Sequence, residues 1–223
     1  VQTCALPIFV LCGCLIAMLS FGPRSSRGQF LTPISIENGW GRDVFSFAIA
    51  IQNILWGVGQ PIAGGLADKY GAPRVLSAGA LLYACGLTLM AYSQTPGMID
   101  LSAGVLIGFG LSGSSFSLIV GSLGKLVPED KRMLAFGAGT AAGSFGQFLF
   151  SPLAQFLIQN VGWHNALITF AGMLLLVLPL SIALATPKES GAIVRTTSQQ
   201  TAKEALMEAF GHRSYVLLRS EEH

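Results

Sequence analysis

Arg24 and Arg27 lie beside a long apolar run and are the residues of this 223-residue chain best equipped for chemistry. A guanidinium is a planar fork that grips a carboxylate through two parallel hydrogen bonds, which an ammonium cannot do. On a helix the three-residue spacing puts both arginines on one face. With no acid nearby in sequence they repel each other, unless an anion or a distant carboxylate sits between them. The competing reading breaks the helix at Pro23 and lets both side chains snorkel to the membrane surface. A second group is Gln52, Trp56 and Gln60, which recur every four residues and so form one stripe, with Asn53 beside it. Amides and an indole on such a stripe suit a face turned to water or solute; interhelical hydrogen bonding suits them equally.

These residues need a membrane around them. Hydrophobic residues make up 52% of the chain and charged ones 11%, against about 25% charged in an ordinary soluble domain. The chain therefore reads as an integral membrane protein whose first partner is the lipid bilayer. A net charge of +2 with dispersed bases leaves no footprint for nucleic acid. There is no phosphate loop, no histidine cluster and no nucleophile motif, so the expectation is no enzyme, no catalytic residue, no cofactor and no metal. Cys12 and Cys14 point apart on a helix and Cys85 stands alone in an apolar run, so no disulfide follows.

The positioning elements are apolar helices. Residues 44–64, 75–92, 98–123, 134–158 and 166–185 each read as a membrane span, and they follow a first span in the N-terminal run. From Phe9 to Gly22 that run is shorter than the roughly 20 residues a crossing needs; either its beginning is lost, or the helix continues through Pro23, Arg24 and Arg27 to about Ser35. The fold class is thus all-α membrane protein with six transmembrane helices. Glycines at 104, 108, 110, 113, 121 and 124 make the fourth span chiefly a packing helix, in which Ser112, Ser114 and Ser115 mostly serve packing. Pro152 is expected to bend the fifth. Ile36 to Arg42 and GWHNA, with His164, read as connections on one side of the membrane. Residues 187–218 read as a soluble linker that carries an amphipathic helix at 202–210 and leads into a truncated seventh span at 215–218.

Two connections carry charge: Gly64 to Arg74, GGLADKYGAPR, and Lys125 to Arg132. On their side of the membrane lie Lys69, Arg74, Lys125, Lys131, Arg132, Lys188, Arg195, Lys203 and Arg213; on the other lies Arg42. The base-rich side is expected to be cytoplasmic, and both ends of the chain with it. Gly64, Asp68, Lys69, Gly71 and Arg74 resemble the signature loop between the second and third helices of the major facilitator superfamily. There, glycines allow a sharp helix reversal and the aspartate lies at a helix end. SFGPRSSRGQFLTPIS resembles the latter half of a first helix in bacterial monocarboxylate or oxalate-formate-type members, which favours the long first helix and sets Arg24 at membrane depth. The resemblance implies the N-terminal half, built as a 3+3 repeat, of a twelve-helix facilitator in a bacterial inner membrane, with a missing C-terminal six-helix half as its partner.

The function expected is secondary transport of a small organic anion, a monocarboxylate, by alternating access. Arg24 anchors the carboxylate, and Gln52, Asn53, Trp56 and Gln60 assist. Asp43, Asp68, Asp100 and Glu129 all lie near loops, so this half offers no deep proton carrier, and symport and antiport stay open. Drug efflux and a non-transporting sensor or assembly subunit are the alternatives. Both ends also read as foreign. Codons for Arg219 to His223 can be chosen whose reverse complement encodes Ala5 to Ile8, in the manner of a sequencing adapter. Residues 1–8 and 219–223 are therefore expected to be artefact and native sequence to run from about Phe9 to about Leu218.

Overall fold

The computed structural model describes residues 2–184, without the side chains of residues 2–6 and 125. The expected linker, the amphipathic helix at 202–210, the seventh span and the tail at 219–223 lie outside the described residues.

The first helical stretch is long. Helices α1 (Gln2–Ser25) and α2 (Arg27–Asn38) meet at Ser26, and together they place Arg24 and Arg27 on either side of that joint. Pro23 lies inside α1, and the helix continues through it. The hydroxyls that follow take up backbone carbonyls at the joint. Ser25 donates to Gly22 O at 2.7 Å and to Gln147 O at 3.1 Å, while buried Ser26 donates to Phe150 O at 2.9 Å. Such side-chain bonds are how a membrane helix tolerates proline, and here they also pin the joint to a neighbour.

That neighbour is α8 (Glu129–Leu175), which lies far along the chain. Gly22 has no room for a Cβ, which would lie 2.3 Å from the Phe150 ring, and a Cβ on Gly146 would lie 2.6 Å from Met18 O. Small residues let the two backbones approach closely, and close packing is what holds helices together in lipid. Gln29 adds a side-chain bond across the seam, donating to Ser151 Oγ at 2.8 Å.

Helix α3 (Arg42–Tyr70) and helix α4 (Ala72–Ala91) are joined by a single residue, Gly71, at φ 91° and ψ 140°. The connection expected over Gly64–Arg74 is therefore almost entirely helical. Gly64, Asp68 and Lys69 belong to the end of α3, and Arg74 to the first turn of α4. Only glycine takes up positive φ without strain, so one residue makes the whole reversal. The Gly71 N–H closes α3 by donating to Ala67 O at 2.9 Å.

The next stretch is broken more than its sequence suggests. A short helix α5 (Pro96–Ile99) runs into a π-helical segment, Asp100–Leu106, then α6 (Ile107–Gly113), and α7 (Phe116–Leu126) follows an interruption at Ser114 and Ser115. Its glycines pack as expected: a Cβ on Gly79 of α4 would lie 2.5 Å from the Gly113 carbonyl carbon, and one on Gly110 would lie 2.7 Å from Tyr83 N.

Helix α8 and a final helix α9 (Val177–Ala183) complete the described chain. Gly162, at φ 81° and ψ 160°, interrupts α8 and divides it into two helical parts. GWHNA is accordingly a one-residue kink and not a loop. Trp163 donates its indole N–H to Glu37 Oε2 at 2.5 Å, and the His164 ring stacks on Trp163 with centroids 3.6 Å apart. This ties the kink to the last turn of α2. Pro152 stays within continuous helix.

Among the described residues, four stretches are long and apolar enough to cross a membrane: Pro7–Asn38, Ala72–Ala91, Pro96–Gly124 and Glu129–Ala183. Helix α3 is not one of them, although its 29 residues suffice in length, because its amides and glycines lower its hydropathy. The last stretch, of 55 residues, would reach about 80 Å if straight at 1.5 Å per residue, far beyond a hydrocarbon core of about 30 Å. The exterior is apolar. Ile54, Val58, Ile62 and Leu66 form an exposed stripe on α3, as do Phe145, Phe148 and Phe156 on α8. Water would make such a surface costly, and lipid does not. The chain is an all-helical integral membrane protein over its described residues.

Candidate functional site

The joint at Ser26 presents both arginines, half-buried, to the space between α1, α3 and α4. Arg24 lays its guanidinium over Trp56 of α3, with Cζ 3.8 Å from the ring centroid. The positive charge rests on the negative face of the indole, a contact that gains strength out of water. Arg27 donates from Nη1 to Oε1 of Gln52, which is buried. Two of the four α3 residues expected in the site thus engage the two arginines. Asn53 is exposed and Gln60 is half-buried, and neither borders the spaces around Arg24 and Arg27.

Two spaces meet at these guanidiniums. One is an open cleft of about 370 Å³ bordered by Phe21, Arg24, Ser25, Arg27 and Gln147. The other is a narrow, partly open space of about 30 Å³, walled mostly by apolar residues that include Phe30, Met90 and Phe170. Arg24 and Arg27 border both, so they lie between a polar cleft and an apolar space. Among the described residues, no Asp or Glu borders either space. An aromatic face and an amide oxygen hold the arginines in place without cancelling their charge. In a low-dielectric setting, uncancelled positive charge attracts an anion strongly.

Tyr83 and Gln147 escaped the sequence reading. Tyr83 is 1% exposed and borders the apolar space; its signal was a phenol in an otherwise apolar third span. Gln147 stands in the cleft wall on α8; it is one of two amides in the fifth apolar run, with Gln155, and nothing along the chain tells which of them faces the site. Their association with Arg24 required the fold, because 59 and 123 residues separate them along the chain.

The loop residues lie elsewhere. Asp68 and Lys69 end α3, exposed, with Lys69 Nζ 5.3 Å from the Tyr70 ring centroid, and Arg74 is exposed on α4. At the second charged connection Arg132 bonds Val127 O at 3.2 Å and pairs with Glu129 at 3.3 Å. Such an exposed pair contributes little to stability. His164 approaches Glu37 at 3.8 Å, beside the Trp163 bond and apart from the arginines.

Comparison with known proteins agrees with this architecture. Monocarboxylate transporter 3 of Mus musculus is 34% identical over 168 residues, covering 74% of this chain and 34% of that protein. Monocarboxylate transporter 13 of Rattus norvegicus is 31% identical over 155 residues, covering 70% and 32%. An uncharacterized MFS-type transporter of Escherichia coli (strain K12), YhjX, is 26% identical over 213 residues, covering 93% and 51%. The chain thus spans about a third to a half of the length of these relatives, whose names are those of transporters and not of enzymes. The Major Facilitator Superfamily model matches residues 13–219, nearly the whole chain, and with helices that reverse on Gly71 and half-bury two arginines, the chain belongs to the major facilitator superfamily.

Proposed function

We propose that this chain is the N-terminal six-helix half of a secondary transporter that moves a small organic anion, a monocarboxylate, across a bacterial inner membrane by alternating access. The observation that carries the reading is the pair of guanidiniums at the cleft, held by Trp56 and Gln52 with no carboxylate among the described residues bordering the space. An arginine at membrane depth is costly unless it has a task. A carboxylate entering the cleft meets two planar donors.

The six spans of this reading are 7–38, α3, α4, 96–126 and the two parts of 129–183 on either side of Gly162. A second six-helix bundle completes the cleft wall opposite Arg24, and the segment after residue 186 connects the two on the cytoplasmic side. The excess of Lys and Arg at the Gly71 end supports a cytoplasmic position for that end. Gly64, Asp68, Lys69, Gly71 and Arg74 form the element that changes partners as the halves rock. Asn53 and Gln60 act from the same helix as Gln52 once the other half is in place.

The test is uptake of labelled small carboxylates by proteoliposomes containing the full-length transporter. Replacing Arg24 by Gln or Lys is expected to abolish uptake while the protein still inserts and elutes as a single species. Uptake unchanged by Arg24→Gln removes the anion role. Flux of an amphipathic cation that does not depend on Arg24 would point to drug efflux, and binding without flux to a sensor.

A further inference from the structure

We propose that Glu37, Trp163 and His164 form a proton-operated latch at the outer end of α2, tightened when the imidazole is charged and eased when it is neutral. Its place on the outer side rests on the orientation proposed above, whereas the latch itself is independent of the carboxylate reading.

Two contacts to one carboxylate carry the inference. Glu37, in the last turn of α2, accepts the Trp163 indole N–H on Oε2 at 2.5 Å, and its Oε1 lies 3.8 Å from His164 Nε2. The first contact is a hydrogen bond whatever the state of the imidazole. The second is too long for a bond to a neutral ring, but it becomes an ion pair once the ring takes a proton. The Trp163 and His164 rings stack with centroids 3.6 Å apart and planes 30° from parallel, although neighbours in sequence do not face each other on a regular helix. They do so directly after the kink at Gly162. An imidazolium there lies against an indole face, which favours the charged ring a second time. Trp163 is 6% exposed, while the His164 and Glu37 side chains are 42% and 56% exposed. The indole is thus a fixed partner, and the imidazole stays open to protons from water.

Among the described residues, Glu37 is the one carboxylate within 4 Å of His164. The other charges on the elements packed around α2 are set apart. Arg27 opens α2 and Arg24 precedes the joint; Arg42 and Asp43 are exposed at the start of α3, Asp68 and Lys69 stand at its far end, and Glu129 to Arg132 open α8. Glu37 lies about 15 Å from Arg27 along the same helix, at 1.5 Å per residue. Since α2 meets α1 at Ser26, a hold on its far end limits how α2, with Arg27, pivots about that joint.

A histidine takes up its proton between about pH 8 and about pH 5, and carboxylates stay ionised down to about pH 4, so the latch tightens as pH falls through the first range. An exposed ion pair and an exposed cation–π contact each shift an equilibrium by up to about fivefold. The experiment is hydrogen exchange read by mass spectrometry on the full-length transporter in lipid nanodiscs, at about pH 8 and about pH 5.5, with rates corrected for the intrinsic effect of pH. Protection of the amides at 31–38 is expected to rise at least about twofold at the lower pH. His164→Gln and Glu37→Gln are expected to abolish the rise, although the second keeps an acceptor for Trp163. His164→Arg, charged at both pH values and flat enough to stack on the indole, is expected to hold the higher protection throughout. No rise in the unaltered protein, a rise that persists in either Gln variant, or His164→Arg as open as His164→Gln overturns the latch. The readout is helix order and not flux, so failure of the latch and failure of the carboxylate reading are separate results.

Discussion

The Arg24 guanidinium lies over the Trp56 ring, 3.8 Å from its centroid, so that one of the two cations in the site is held by a π face and keeps its charge available. A carboxylate partner would have fixed the same geometry and neutralised it. In the proposed transport role, the indole would act as a rest for a group that also releases it to meet a solute.

Replacing Trp56 by Leu removes that rest. A desolvated cation–π contact contributes about 1–2 kcal/mol, so the half-saturating concentration of a transported carboxylate is expected to change about 5- to 30-fold, with Trp56→Phe between. Proteoliposome uptake measures it. An unchanged value in Trp56→Leu shows that the stack does not orient Arg24.

Gln52→Glu tests the uncancelled charge of Arg27. An acid at this position pairs with the guanidinium at the distance of the present hydrogen bond and takes the place of the anion. Charge-assisted bonds are roughly twice as strong as neutral ones, and anion affinity is expected to fall at least tenfold while Gln52→Asn costs less. Equilibrium binding on purified full-length protein separates the two.

The α1–α8 seam is predicted to be intolerant of volume. Gly22→Val drives a side chain into the Phe150 ring, and Gly146→Val drives one into the Met18 backbone. Overpacking costs about 1–3 kcal/mol, so each variant is expected to lower the melting temperature in detergent and, because Arg24 moves with α1, to weaken anion binding as well. At Gly137, where a Cβ meets nothing within 4 Å, an alanine is expected to do neither.

Gly71→Ala tests the one-residue reversal. With ψ at 140° this positive φ lies outside the left-handed helical region, near backbone territory essentially confined to glycine, where a residue with a Cβ costs about 1–3 kcal/mol; no neighbour crowds this Cβ, the nearest atom being Pro73 Cδ at 3.9 Å. Loss of melting temperature should therefore come from backbone strain alone, and Gly71→Asn should lose as much, because asparagine is favoured only in the left-handed helical region.

At the other end, Trp163→Phe deletes the 2.5 Å bond to Glu37 while keeping an aromatic ring. The carboxylate retains His164, so a loss of about 1.5–3 kcal/mol, as for a hydrogen bond to a charged group, is the upper bound. Chemical unfolding of the detergent-solubilised protein measures it, and Glu37→Gln should cost less than Glu37→Ala.

Much of this was legible along the chain because a bilayer imposes strong local rules. Apolar runs had to be helices, since lipid offers no partner for backbone polar groups, and Arg24 stood out because charge at that depth is costly. The details of connection were not legible. Asp68 and Lys69 look like loop residues by polarity, yet α3 carries them to Tyr70, because one glycine at positive φ makes the turn. Gly162 likewise replaced an expected loop with a kink. The stripe of amides on α3 was visible, but periodicity gave no means of telling that Gln52 and Trp56 meet the arginines while Asn53 and Gln60 do not border the same spaces.

By itself, then, the order of residues determined that this protein lives in a membrane, which segments are helical and which cations are out of place there. Tertiary packing decided what those cations face: Tyr83 from α4 and Gln147 from α8 border the same spaces as Arg24 only because glycines let the helices close to backbone contact. Hydropathy is summed residue by residue and survives in any linear reading, whereas a cavity exists only between surfaces brought together from distant parts of the chain.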